Sequence, residues 1–252
     1  MIYDAYSKYL KALPHYPINI SCCMIAQAEY LEDSEEESPL EDLRLTFARI
    51  QDALEADPFF ASIRAHSLPK PVGGRQVTGR MRGKLLGWLE KLGLATFKFR
   101  RGTFITAALV LDQHLALHDD PPSALQLLGC AALLAASKLT EEVIVAPECY
   151  ATASCHIFNT QQLLEKERAV FGGVQWEKVR LGALRGVRVG CGRLGLGERV
   201  GRAEEILGLV LKEERSTGWN TSKLIYTALS LTQMDHQHGL NNEELIDLVQ
   251  QF

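Results

Sequence analysis

Residues Pro122 to Glu142 read PSALQLLGCAALLAASKLTEE. From Ser123, a candidate N-cap, about four helical turns pass before the first charge, Lys138. The small residues Gly129, Ala131, Ala132, Ala135 and Ala136 are mixed with leucines that fall on several faces. A helix apolar nearly all round is a buried central helix. At about 16 residues it falls short of the roughly 20 that a bilayer crossing needs. Small residues let neighbouring helices approach closely, so several helices are expected around it. Its far end, Lys138-Leu139-Thr140-Glu141-Glu142, turns abruptly charged. A rigid helix therefore presents charge at the edge of a core.

The flanking patterns are helical too. Thr78 is placed to cap a helix with the apolar stripe Met81, Leu85, Trp88, Leu89 and Leu92. Thr103 is placed to cap a second, with Phe104, Ala108, Leu111 and Leu115 inward. Beyond the central helix, a weaker helix is expected over Ala146–Phe158. Another, capped by Asn159, carries Leu163, Leu164, Val170, Phe171 and Val174. Five helices in about 100 residues, without strand alternation, predict an all-α bundle.

Upstream, Tyr3, Tyr6, Tyr9 and Leu10 suit a short helix ending before Pro14. Leu31–Asp42, LEDSEEESPLED, reads as a solvated acidic segment in which Ser34 and Ser38 are candidate phosphorylation sites. An N-terminal helix is expected over about residues 41–64 from Leu43, Phe47, Ile50 and Leu54, with an interruption near Asp57-Pro58. Phe59, Phe60 and Ile63 follow in a segment that need not belong to the main core, and Ser67–Gly74 is a loop. Downstream of Trp176, Arg180–Gly201 carries too much glycine for a helix. Helical periodicity resumes over Ala203–Lys212 and Ser222–Met234, and Asn241 or Asn242 is placed to cap a last helix. This second half reads as a shortened echo of the first.

Composition excludes several classes. The chain has 252 residues, 46% hydrophobic and 23% charged, which suits a soluble globular protein. A net charge of −4 supplies no bulk attraction to nucleic acid. The 6 cysteines form no C-x-x-C and suit free thiols in a reducing compartment, and no metal site or cofactor is expected. The N-terminus lacks the apolar core of a signal peptide, so an intracellular chain without a membrane span is expected. Gly190–Gly195 is formally G-x-G-x-x-G, but nothing around it reads as parallel strands. His114/His118 and His236/His238 lack a third ligand, and no Ser/His/Asp or Cys/His constellation can be nominated, so no enzyme is expected.

Two stretches in order, GRQVTGRMRGKLLGWL (Gly74–Leu89) and LQLLGCAALLAASK (Leu125–Lys138), resemble a cyclin box, with mitotic B-type cyclins the nearest likeness. The resemblance covers about Val77–Trp176. The family's box rests on five positions, matched here by Arg82, Asp112, Leu127, Lys138 and Glu167. It implies a five-helix cyclin box over 78–177, an N-terminal region over 1–77, and a degenerate second cyclin-like domain over 178–252. Arg82, Asp112 and Leu127 would be structural, with Arg82 and Asp112 tying the first two helices together. Lys138 and Glu167, with Glu141 and Glu142, would bind a kinase.

What the resemblance implies is recognition rather than turnover. The chain would be the regulatory subunit of a heterodimer with a cyclin-dependent Ser/Thr protein kinase in cell-cycle control, in nucleus and cytoplasm. Lysine and glutamate would hold backbone groups at the end of the kinase's regulatory helix and seat it in its active position. The chain departs from the family where Thr140 precedes Glu141-Glu142 and where a proline pair is reduced to Ala146-Pro147. Met81, Leu85, Trp88, Leu125 and Gln126 match a patch that docks kinase substrates or inhibitors. Lys84 stands in place of an apolar residue, and Lys91, in place of an acidic one, would repel the arginine of an R-x-L ligand. The alternative is a cyclin-fold adaptor, transcription-related or inhibitory, that activates no kinase. For it Arg180, Arg185, Arg188, Arg193, Arg199 and Arg202 would supply a basic face.

Overall fold

The computed structural model describes residues 38–65, 76–180 and 182–252. Ser34, most of the acidic segment, the tyrosine-rich stretch and the 67–74 loop lie outside them. Among the described residues the elements are helices α1 (Pro39–Glu55), α2 (Pro58–Ala65), α3 (Gly79–Glu90, continued by a π-turn over Lys91–Thr96), α4 (Arg101–Leu117), α5 (Leu125–Thr140), α6 (Pro147–Ala153), α7 (Thr160–Gly173), α8 (Trp176–Arg180), α9 (Ala183–Arg193), α10 (Val200–Lys212), α11 (Thr221–His238) and α12 (Asn242–Gln251), with no strand.

Helix α5 is the central helix of the first half, buried from Leu128 through Ser137, with α3, α4 and α7 packed on it. Its small residues have a geometric purpose. A Cβ at Gly129 would lie 3.0 Å from Cδ1 of both Leu85 and Leu89, so glycine lets α3 come close. Counted with the 3-10 turn that leads into it, Pro122–Thr140 runs to 19 residues, not the 16 expected, and by composition and length could cross a membrane, yet most of it is buried inside the bundle. Thr78 caps α3, accepting from the Met81 N–H at 3.2 Å, and Asn159 forms a capping box with Gln162 on α7.

Two expected caps are corrected. Thr103 does not cap α4, which starts at Arg101. The Thr103 hydroxyl instead turns inward to Thr140 and Glu141. Ser123 does not cap α5 either, because Pro122–Ala124 forms a 3-10 turn that leads straight into Leu125. Helix α6 stops at Ala153, short of Phe158, where Cys155 and His156 take φ of 54° and 57° and turn the chain out of the helix.

The second half contains the largest correction. Within Arg180–Gly201, Ala183–Arg193 forms helix α9 despite its glycines. A Cβ at Gly186 would sit 2.2 Å from Ile225 Cδ1, and one at Gly190 2.4 Å from Leu229 Cδ1. The two glycines, one turn apart, make a notch into which two side chains one turn apart on α11 interlock. A helical glycine costs about 1 kcal/mol relative to alanine, and burial of Ile225 and Leu229 offsets it. Helix α11 is buried on nearly every face, with α9 and α10 packed against it, while α12 packs on α10 and α1.

The N-terminal helix is also two helices rather than one over 41–64. Pro58 ends the first run, and the Asp57 carboxylate accepts from the Phe59 N–H at 2.8 Å to start the second. Phe60 and Ile63 are 1% and 2% exposed, so this segment does belong to the core. Both α1 and α2 pack on α11, with the Phe47 and Phe60 rings against Tyr226.

The halves meet at α3 and α10. Arg82 Nη1 donates to the Leu211 carbonyl at 2.7 Å, and Glu90 bridges Arg101 (3.0 Å) and Lys212 (2.5 Å). A Cβ at Gly83 would lie 2.5 Å from the Lys212 carbonyl oxygen, so only glycine permits this approach.

Candidate functional site

At the exposed end of α5 the lysine finds a partner. Lys138 Nζ lies 3.0 Å from Glu167 Oε1 on α7. Glu167 sits between Leu163 and Val170 on the inward face of α7, so its side chain is only 10% exposed while Lys138 remains 35% exposed. An ion pair at such an edge is worth roughly 0.2–1 kcal/mol to folding. Its value lies in presentation: each group holds the other in place and keeps donors and acceptors unspent.

Apolar surface surrounds the pair. With Leu164, Arg168, Phe171 and Gly172, Lys138 and Glu167 line a cavity of about 510 Å³. Phe171 also borders a second cavity of about 600 Å³, whose walls include Leu139, Trp176, Val179 and Leu184. The Phe171 and Trp176 rings pack 4.7 Å apart, and Trp176 Nε1 donates to the Phe171 carbonyl at 3.0 Å. Leu139, Val143, Ile144 and Phe171 are all exposed although they are large and apolar. Charge-paired groups set in uncovered apolar surface suit protein recognition.

The two carboxylates after α5 go elsewhere. Glu141 turns back over the start of α4, where it accepts from the Arg100 N–H at 2.7 Å and from the Thr103 hydroxyl. The hydroxyl of Thr140 bonds the Ala136 carbonyl at 2.9 Å, which keeps this extra residue inside the last turn of α5. Glu142 is exposed and pairs with Arg100 Nη2 at 2.7 Å. Sequence reasoning missed Arg100 and Thr103, and no local signal marks partners about 40 residues away.

Buried Arg82 and half-buried Asp112 form a two-point pair, with Nε–Oδ1 at 2.5 Å and Nη2–Oδ2 at 2.6 Å. Leu127 is half-buried against the core. In the candidate substrate patch, Leu85 and Leu125 are buried while Met81, Trp88 and Gln126 are half-exposed. Lys84 and Lys91 are exposed beside them. Ser38 is the N-cap of α1, its hydroxyl accepting from the Glu41 N–H at 3.2 Å.

Other chemistry-bearing groups are structural. His114 Nε2 lies 2.8 Å from Asp120, which also holds Lys166 at 2.5 Å. Burial lowers the imidazole's pKa, and the hydrogen bond from Lys166 helps hold the Asp120 carboxyl below its ordinary value against burial. Burial pushes the Cys130 and Cys191 thiols up to about 12 and about 11. The Gly190–Gly195 motif lies at the end of α9 with no strand before it, so it lacks a dinucleotide fold's setting. Among the described residues, no group of three or more His, Cys, Asp or Glu side chains could hold a metal ion.

Comparison with known proteins bears on this geometry. Residues 61–178 match the family described as cyclin, N-terminal domain. The chain is 27% identical over 164 residues to the G2/mitotic-specific cyclin-B2 of Oryzias latipes, covering 64% of this chain and 42% of that one. It is 33% identical over 104 residues to the cyclin-B1 of Carassius auratus (40% and 25%) and 29% identical over 105 residues to cyclin-B1-3 of rice (42% and 22%). The matches therefore span between about a fifth and two fifths of each relative's length. The X-ray structure of a viral cyclin from herpesvirus saimiri superposes with a TM-score of 0.57 at 18% identity, covering 83% of this chain and 94% of that one.

Proposed function

We propose, on the premise that residues 61–178 are the N-terminal domain of a divergent, B-type-like cyclin, that the chain is the regulatory subunit of a cyclin-dependent Ser/Thr protein kinase and activates it. The observation that carries this is the Lys138–Glu167 pair at 3.0 Å, set among exposed Leu139, Val143, Ile144 and Phe171. In this reading Lys138 donates to carbonyl groups and Glu167 accepts from N–H groups at the end of the kinase's regulatory helix. The apolar residues then pack along that helix.

Seating the helix brings its glutamate to the lysine that anchors ATP, the ion pair a protein kinase needs for phosphoryl transfer. The chain acts by binding the active conformer better than the inactive one. It contributes no catalytic group.

The adaptor reading needs a free basic face, and the arginines offered for it are largely engaged. Arg188 pairs with Glu204 at 2.6 Å, Arg193 with Asp57 at 2.9 Å, and Arg199 and Arg202 with Asp235 at 3.2 and 3.3 Å. Arg185 lies over the Phe59 ring.

The test is a pulldown of kinases from source cells with wild type and with a Lys138→Ala/Glu167→Ala variant, followed by a protein-kinase assay of the bound fraction. Kinase activity recovered by wild type and lost with the variant supports the reading. No kinase bound, or binding indifferent to both residues, overturns it.

A further inference from the structure

Between α1, α2 and the first turn of α11 lies a solvent-open cavity of about 340 Å³, lined by Phe47, Gln51, Arg64, Ser222, Lys223 and Tyr226 among others. None of these residues belongs to the Lys138–Glu167 site. Two of them are cations brought together from distant parts of the chain. Arg64 donates from Nη1 to the Tyr226 hydroxyl at 3.4 Å and from Nη2 to the Glu55 carbonyl at 2.8 Å. Lys223 Nζ lies 4.2 Å from the Trp219 ring centroid and 5.0 Å from that of Phe252.

All of these partners are neutral. Among the described residues, neither Arg64 nor Lys223 forms an ion pair with a carboxylate, whereas Arg188, Arg193, Arg199 and Arg202 each do. Arg215 adds positive charge nearby. Burial first, and then the Arg215 charge, hold the Lys223 ammonium below the ordinary lysine range. Arg64 is exposed and Lys223 half-buried on the wall of this one cavity, so an arriving anion can reach both and restores to Lys223 the stabilisation that burial removes.

The donors fit a tetrahedral dianion. A guanidinium has five N–H groups and an ammonium three, so both cations keep donors to spare. A phosphate monoester carries about −1.5 to −2 charge and three acceptor oxygens, enough to meet both at once. A carboxylate spreads one charge over two oxygens. The spot is also small and isolated on a chain of net charge −4, without the row of cations that a nucleic-acid backbone requires. Its rim is aromatic, with Phe47 in the wall and Trp219 and Phe252 behind Lys223.

We propose that this cavity binds a phosphorylated side chain of a peptide, with the phosphate held between Arg64 and Lys223 and the flanking peptide lying over Phe47. The site is independent of kinase binding and adds a phosphorylation-dependent partner to the chain.

The test uses the full chain and a fluorescein-labelled peptide, Ala-Ala-phosphoserine-Phe-Ala, followed by anisotropy. The same peptide without phosphate, inorganic phosphate as competitor, and a single-stranded RNA 12-mer complete the set. The phosphopeptide is expected to bind about tenfold or more tightly than its unphosphorylated form, and inorganic phosphate to displace it. Lys223→Met keeps the aliphatic stem over Trp219 and is expected to weaken phosphopeptide binding about tenfold, as is Arg64→Met. Lys223→Arg keeps the charge and should retain binding. Lys98→Met removes an exposed lysine from the connection between α3 and α4 and should change nothing. Unfolding midpoints matching wild type show that each variant is folded. Equal binding of the two peptide forms, undiminished binding by both methionine variants, or preferential binding of the RNA would each overturn the proposal.

Discussion

The Glu141 carboxylate accepts a 2.7 Å hydrogen bond from the Arg100 backbone N–H, so the residue that ends α5 closes the beginning of α4. Helix α4 has no side-chain cap of its own, and the buried Thr103 hydroxyl, which also meets Thr140, donates to the same carboxylate. Glu141→Ala is expected to destabilise the protein by about 1–2 kcal/mol, the value of a lost helix cap together with one charge-assisted hydrogen bond. Glu142→Ala, at an exposed surface pair, should leave the urea midpoint in place. Equal shifts for the two variants would show that Glu141 has no special anchoring role.

The Lys138–Glu167 pair gives a different expectation. Glu167→Ala should change folding stability by less than about 1 kcal/mol, because it leaves only the partly exposed Lys138 without a partner. Lys138→Ala leaves a mostly buried carboxylate unpaired and should cost about 1–3 kcal/mol. Against a kinase partner each should cost about 2–5 kcal/mol of affinity, since docking buries the charge left behind. A double-mutant cycle measured by calorimetry should give stronger coupling in binding than in folding. Coupling confined to folding would make the pair a structural bond only.

The glycines of α9 separate by position. Gly186→Ala and Gly190→Ala should each cost about 1–3 kcal/mol by overpacking against Ile225 and Leu229. Gly192 is helical, exposed and free of neighbours within 4 Å. Gly192→Ala should therefore stabilise by about 0.5–1 kcal/mol. Thermal unfolding of the three variants reads this directly, and a common sign for all three would refute the notch.

Stability should also depend on pH through His114. Its folded pKa lies below the ordinary 6.5, with burial the largest cause, opposed by the hydrogen bond and charge of Asp120 and aided by Lys166 and His118. A depressed folded pKa means that the unfolded chain takes up the proton first. The contribution is therefore present above about pH 6.5 and is lost as pH falls through the folded value. Asp120, also depressed, loses its contribution in the same direction below its ordinary 3.8. Urea midpoints measured from pH 7.5 to 5 should fall for wild type and flatten for His114→Phe. Parallel curves would assign the acid sensitivity to other groups.

Much of this was legible in local pattern. The leucine–alanine texture of Leu125–Thr140 marked a central helix, and Thr78, Asn159 and Asn241 capped where their spacing placed them. Arg82, Asp112, Lys138 and Glu167 were legible only as types at matching positions, and folding brings them together in two pairs. What failed was reading propensity where tertiary packing decides. Glycine content argued against α9, and local pattern left open whether Phe60 and Ile63 belong to the core that buries them. The roles of Arg100 and Thr103 follow from a contact with Glu141, not from their neighbours in sequence.

The sequence by itself determined the all-α class and the central helix, because hydrophobic periodicity and caps act within one or two turns. It also settled the order of charged residues that aligns the chain with cyclins. Only the tertiary structure decided that Glu141 faces inward, that α1 and α2 pack on α11, and that Arg82 reaches the Leu211 carbonyl. It alone brought Arg64 and Lys223 to one cavity. Each of these joins groups tens to more than a hundred residues apart. Their energies depend on distance in space and on what else is buried beside them, and neither quantity is written along the chain.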